Sequence, residues 1–506
     1  MKIGFDSAKY LDAQKEKIIQ RLKKSGDKLY IEFGGKLLFD YHASRVLPGY
    51  DPNNKIKLLQ ELSTEIDIIL CVNASDIERH KLRADFGISY DLDVLKIIDD
   101  LKSFSLPVTT VVITQYKNQR SATSFKNKLE NMGIQVCCHP FIQGYPTDIE
   151  NIVSEKGFGS CQYIETTKKI VVVTAPGPGS GKLATCLSQL YHESMRGIKA
   201  GYAKFETFPI WNMPLDHPVN VAYEAATLDL EDYNLIDPFH EEAYHISSVN
   251  YNRDVEAFPV LRSIFEKITK SECIYKSPTD MGINCISEGI ISDEVIREAS
   301  KQEIICRHLR CIADFAEGIT TKSSVMKSQS LLQKVGASIE DRVVVAAARK
   351  AAETSKTIPG KGNHGIFCGA AIQLKDGTVI KGYNSPELHS ASAVLINAGK
   401  KLSGIPDEMH LLAPGILQSI GNMKENIYNT TSASLDVNEL LIVLGVSSIM
   451  NPAVVSVLES FKKLAGCEMH LTHIPTEGDT SGIRKLGIRV TYDPNRSTNK
   501  LFINHN

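Results

Sequence analysis

The chain of 506 residues predicts an α/β fold: an N-terminal region around a parallel sheet, a helical middle, and a smaller α/β domain at the end. Three observations carry that reading. β-branched runs at 66–72, 108–114 and 169–174 alternate with stretches of helical periodicity, the pattern of parallel strands flanked by helices. A glycine-rich turn, residues 174–182, separates one such run from a helix. Near the C-terminus, Asp376-Gly377 lies between two alternating runs, a hairpin signal.

Taken in order, KLYIEFGGKLLFD at 28–40 reads as two short strands joined at Gly34-Gly35. The polar stretch after it gathers Asp40, His42 and Arg45 where scaffolds often present functional groups. These three form a separate candidate cluster, composite with Lys182 only if the fold brings the two together. Then come a strand at 66–72, a helix at 91–103, a strand at 108–114, a helix at 121–132 and a strand at 134–138. The run KIVVVT at 169–174 precedes the glycine turn, and a helix follows at 183–195. Apolar residues recur at helical spacing from 292 to 350, predicting several packed helices. TIPGKGNHG at 357–365 is a turn-rich junction. The expected domains are therefore 1–275, 276–356 and 357–506. In the last, a hairpin at 369–382 leads to a helix at 388–402, a strand at 439–446, a helix at 452–464, a strand at 468–474, a short helix near Ser481 and a strand at 488–492. That order resembles the cytidine-deaminase fold, whose zinc enzymes use His-x-Glu and Pro-Cys-x-x-Cys. Here His389-Ser390-Ala391 lacks the glutamate and Asn451-Pro452-Ala453-Val454 lacks both cysteines, so the resemblance implies the fold without the zinc.

Lys+Arg of 57 against Asp+Glu of 59 leaves a net charge of -2, which provides no field to draw the protein to nucleic acid or an anionic membrane. Hydrophobic residues at 42% and charged residues at 23% are globular usage. Eleven scattered cysteines do not form a disulfide framework, and Lys2, Asp6 and Lys9 stand where a signal peptide would need its apolar core. The uncharged stretch 440–458 is split by Asn451-Pro452, so no membrane span is expected. A cytoplasmic location is the expectation. Cys137-Cys138-His139 and the Cys306 to Cys311 stretch have no second ligand pair at zinc spacing.

The most informative stretch is Thr174-Ala175-Pro176-Gly177-Pro178-Gly179-Ser180-Gly181-Lys182. Gly177, Gly179 and Gly181 let the backbone turn and expose N–H groups, while the next helix aims its positive end at the same point. Ser180 lies inside the loop, and Lys182 can place an ammonium on a bound phosphate. Two departures from GxxxxGK[ST] stand out: Pro176 replaces the first glycine and Leu183 the hydroxyl that ligates magnesium. Thr185 or downstream carboxylates would then have to hold a metal. Asp229, Asp232, Asp237 and His240 are the candidate acid–base or metal groups. The expected ligand is a small phosphorylated molecule, with a nucleoside triphosphate and magnesium as the cofactor implied by the loop.

YIEFGGKLLFDYHASRVLPGYDPN, VVVTAPGPGSGKLATCLSQLYHE, AGYAKFETFPIWN and EAATLDLEDYNLIDPFHEEAY resemble the bacterial family known as domain of unknown function 1846 over essentially the whole chain. The resemblance implies the α/β, helical and deaminase-like regions but no activity and no catalytic residues. Two functional expectations follow. The first is an enzyme acting on a nucleotide or phosphorylated metabolite, by phosphoryl transfer or hydrolysis. The rival is a non-catalytic ligand sensor or assembly subunit, a homo-oligomer in which the degenerate loop only holds a ligand.

Overall fold

The computed structural model describes residues 2–83, 87–427 and 432–497; residues 498–506 of the expected last domain lie outside them. Two compact units divide the chain, residues 2–300 and residues 301–506.

The first unit is built on a seven-stranded sheet: β1 (Lys28–Phe33), β2 (Ile66–Asn73), β3 (Thr110–Tyr116), β4 (Gln135–Pro140), β5 (Ile170–Thr174), β6 (Ala200–Phe205) and β7 (Gly282–Ile283). Their order is β7-β6-β1-β5-β2-β3-β4, and every pairing is parallel. All five residues of β5 are buried, as an apolar strand covered on both faces requires. Burying each valine contributes about 1.5–3 kcal/mol. From β1 the chain moves outward through β2, β3 and β4, returns to the centre at β5, then crosses β1 to reach β6 and β7. The chain reverses direction at β5, so the carboxyl ends of β1, β5 and β2 frame a crevice of the kind where open α/β sheets bind ligands.

The hairpin expected at Gly34-Gly35 does not form. β1 already has β5 and β6 as neighbours, so no free edge remains for residues 37–39. The loop is held by Lys55 instead, whose Nζ donates to the carbonyl oxygens of Gly34 (3.3 Å) and Lys36 (2.9 Å) and to Asp40 (3.0 Å).

The second unit carries a four-stranded mixed sheet: β8 (Gly369–Gln373), β9 (Val379–Tyr383), β10 (Glu468–Leu471) and β11 (Arg489–Tyr492), in the order β9-β8-β10-β11. Only β10 and β11 are parallel. The expected β8–β9 hairpin is present, with Gly377 at φ 91 in its turn. Helix Val343–Ser355 packs so closely on β8 that a Cβ at Gly369 would lie 2.3 Å from the carbonyl oxygen of Ala348. The strand expected at 439–446 is a helix, Val437–Ser447. Its continuous apolar run is ambiguous by periodicity, and a capping box decides it: Asp436 accepts from the Glu439 N–H while the Glu439 side chain accepts from the Asp436 N–H. Among the described residues, no helix is long and apolar enough to cross a membrane.

Candidate functional site

The glycine loop leaves β5 at the crevice and ends at Gly181, whose φ of 86 and ψ of 19 form the left-handed cap of helix Lys182–Met195. Only glycine adopts that conformation cheaply, and a Cβ there would also come within 2.8 Å of Thr114. Neighbouring strand ends pin the loop. Asn73 Nδ2 donates to the Gly179 carbonyl (3.2 Å) and Thr114 Oγ1 to the Ser180 carbonyl (2.9 Å); these two side chains are register partners on β2 and β3. Ser180 is buried, and its Oγ donates to the Gly177 carbonyl at 2.9 Å. Every one of these bonds consumes a loop carbonyl. The N–H groups of Gly179, Ser180, Gly181 and Lys182 have no acceptor among the described residues, which is what an oxyanion cradle needs.

Lys182 opens the helix, and its Nζ lies 3.9 Å from Glu32 Oε1 near the end of β1. Glu32 in turn accepts from the Tyr202 hydroxyl at 2.8 Å. Parallel pairing sets Glu32 opposite Lys204 on β6, and from there a charged row continues. Lys204 Nζ bonds Glu206 at 2.8 Å and also meets Asp254 and the Tyr251 hydroxyl, which donates to Glu206. Although burial pulls it down, Asp254, Glu206 and Glu32 hold Lys204 well above the usual lysine range. Burial, reinforced by Asp254 and opposed by Lys204, pushes the Glu206 carboxyl up to about 7. A carboxyl that titrates near neutrality beside a fixed ammonium is chemically suited to proton transfer.

The predicted site residues fall into separate groups. Gly177, Gly179, Ser180, Gly181 and Lys182 form one continuous loop. Thr185 points away from it: its Oγ1 accepts from the Cys71 thiol at 3.4 Å, fully buried against β2. Asp229 lies in a short 3-10 turn, Leu228–Leu230. Asp232 pairs with Arg253, 2.6 Å from its Nε, and burial raises its carboxyl against that partner. It feels Lys204 and Asp254 and so borders the charged row. Asp237 caps helix Pro238–Tyr244 by accepting from the N–H groups of Phe239 and His240, and it also accepts from Thr279 Oγ1 at 2.7 Å. His240 Nδ1 bonds Ser277 Oγ at 2.9 Å. These bonds make Asp237 and His240 braces between two helix starts. Asp40 is the counter-ion of Lys55, whose charge holds it below the usual carboxylate range despite burial. The His42 ring packs edge-on against Phe208 (5.2 Å), which stacks on Tyr223 at 5.8 Å.

Glu32, Lys204, Glu206, Tyr251 and Asp254 were not among the sequence candidates. A signal existed: Glu32 follows the apolar run Leu29–Ile31, and Lys204 interrupts AGYAKF, which is otherwise apolar, and a charge inside a buried strand needs a partner. Among the described residues, no three His, Cys, Asp or Glu side chains converge as metal ligands.

Comparison with known proteins agrees with the motifs. The model for the N-terminal domain of unknown function DUF1846 matches residues 3–336, and that for the C-terminal domain matches residues 340–502. A UPF0371 protein of Clostridium botulinum (strain Alaska E43 / Type E3) is 51% identical over 505 residues, covering 100% of both chains. One of Clostridium tetani is 50% identical over 505 residues, again 100% of both. With both domain models matched in sequence order and relatives aligned end to end, the chain belongs to the DUF1846 family.

Proposed function

We propose that the N-terminal unit binds a small phosphorylated molecule, with the phosphate on Gly177–Lys182 and the rest of the molecule along Glu32, Lys204 and Glu206. The observation that carries this is a loop of donor N–H groups at the crevice where the sheet reverses direction, next to a lysine. Glu206 is the acid–base group of this reading, in place of Asp229, Asp237 and His240, with Lys204 keeping its charge fixed. The loop is P-loop-like in its strand–loop–helix setting. Calorimetric titration with inorganic phosphate, AMP, ATP and glucose 6-phosphate tests the reading. At least one phosphorylated compound is expected to bind, and Lys182→Ala to weaken it about 10- to 100-fold, as loss of a charge-assisted bond implies. Absence of binding in wild type and variant alike defeats it.

A specific observation favours a second reading. With Leu183 at the usual hydroxyl position and Thr185 turned to Cys71, a magnesium-bound triphosphate finds no free hydroxyl in the first turn of the helix, which suits a sensor that holds its ligand without turnover. The deaminase-like reading of the second unit, lacking zinc ligands, accords with it. Binding without product across the same compounds separates the two readings.

A further inference from the structure

Helix Val437–Ser447 of the second unit is engaged on only one of its sides. Leu440, Val443 and Leu444 are buried in the core of that unit. The helix start is pinned as well, because the fully buried Asp479 accepts from the Val437 N–H (3.1 Å), His389 Nδ1 (2.8 Å) and Thr476 Oγ1 (3.0 Å). The outward side therefore rides on a fixed support.

That outward side is apolar: Ile442 is 69% exposed, Val446 57%, Ile449 83% and Met450 91%. Helical bonding runs on past Ser447, whose carbonyl accepts from the Asn451 N–H at 3.0 Å, so these four, spaced i, i+4, i+7 and i+8, share one face. Val455, in the next helix, Pro452–Ser460, is exposed too. A helix that is hydrophobic all round is ordinarily covered all round. The five residues together present on the order of 600 Å² to solvent, the upper end of the largest apolar patch on a typical monomer.

Gly445, on the same exposed side, adds an independent observation. It stands inside the helix, where glycine is among the poorest residues, and a Cβ there would meet nothing within 4 Å among the described residues. The other described glycines with that much room have positive φ, apart from Gly415 in the first turn of its helix. Within other helices, Gly399 and Gly482 are packed, a Cβ lying 2.6 Å from Val457 and 2.4 Å from Val437. Neither backbone freedom nor packing within the chain accounts for Gly445. Close approach of a second backbone does.

Charge identifies the occupant. Where two identical surfaces meet about a two-fold axis, each residue near the axis faces its own copy, so a charge there would meet its like. No charged residue occurs from Leu440 to Leu458. An unlike partner imposes no such condition, since it can answer a charge with the opposite one. The area agrees: with the exposed, uncharged Pro452 and Ser456 as rim, the patch approaches the roughly 800 Å² that each partner buries in a stable interface.

We propose that this face is the interface of a two-fold dimer, in which helices Val437–Ser447 of two copies cross at Gly445 and bury Ile442, Val446, Ile449 and Met450 against one another. The interface is independent of the phosphate loop.

Light scattering and sedimentation velocity of the full-length protein test this. Between about 1 and 100 μM the mass should be twice the chain's 55.9 kDa, as an interface of standard size implies. Ile449→Asp sets two carboxylates against each other across the axis and should weaken association at least about 100-fold. The residue is exposed in the single chain, so the circular dichroism of the fold should not change. Gly445→Ala favours the helix itself yet holds the two backbones apart, and it should weaken association about 10-fold; it decides the matter if Ile449→Asp does not fold. A single-chain mass at the highest concentration, a dimer that persists in Ile449→Asp, or one that Gly445→Ala leaves equally tight each overturns the proposal.

Discussion

The charged row of the first unit and the Asp479 group of the second are built differently. In the row, charged side chains stand on or beside the strands: Glu32 and Lys204 are cross-strand partners, and Glu206 follows directly after β6. In the Asp479 group they sit at helix starts, with His389, Asp436 and Thr476 as caps gathered around Asp479, although the same unit also pairs Glu468 on β10 with the buried Arg342. Sheet topology explains the contrast. An all-parallel sheet brings every strand's carboxyl end to one edge, so residues far apart in sequence become neighbours there. The mixed sheet has one parallel pair and no common edge of that kind, so the Asp479 group converges through helix starts instead. A row of strand charges is neutralised only by itself and is brittle. Groups at helix starts are also satisfied by backbone N–H donors, which no single substitution removes.

The sharpest way to break this comparison is to remove one member from each. Lys204→Met leaves Glu206 and Asp254 without their shared cation, and it is expected to cost about 3–5 kcal/mol in urea unfolding, as loss of one partner from a buried ion pair does. Asp479→Asn, which retains the side-chain shape, should cost about 1–3 kcal/mol. Equal losses would mean that strand charges and helix-start charges are not held differently.

A second test uses pH. Glu206 titrates at about 7 in the fold against an ordinary 4.5, so the folded state keeps a proton that the unfolded state releases. Its contribution to stability is complete below pH 4.5 and is lost as pH rises through 7. Relative to Glu206→Gln, which cannot titrate, the wild type should lose roughly 3 kcal/mol across that window, measurable by unfolding at pH 4.5 and 7.5. A flat difference would remove the protonated Glu206 and its acid–base role. His473, depressed to about 4, has the opposite sign, because its stabilising neutral form is lost as pH falls.

The smallest expected effect sharpens the reading of the loop. Thr185→Val removes a hydroxyl that meets only the Cys71 thiol, so phosphate-ligand affinity should stay within about 2-fold, well under 1 kcal/mol. A loss that appears only with magnesium present would return that hydroxyl to the metal.

The sequence alone was enough for the elements whose signals are local. KIVVVT before the glycine turn, the helix after Lys182 and the Asp376-Gly377 hairpin are each fixed by residues within a few positions. Where local signals were ambiguous, the reading failed: 37–39 had strand character but no edge to join, and 439–446 was apolar on every face until its capping box was weighed. The acidic run 229–240 illustrates the limit. Its charges marked it as a site, yet Asp237 and His240 are spent on caps and braces, because a hydrogen-bond partner is chosen by the fold and not by spacing.

What the sequence determined by itself is the glycine turn between strand and helix, Gly177 to Lys182, and the alternation that builds a parallel sheet, since both depend on backbone freedom and period. Only the tertiary structure decided what stands beside that loop. Glu32 meets Lys182, Lys204 and Tyr202 because β1 lies between β5 and β6 in the sheet, and His389 meets Asp479 because two helices begin at one place. Such pairings arise from strand order and helix packing between segments about a hundred residues or more apart, and short-range pattern in a sequence does not carry them.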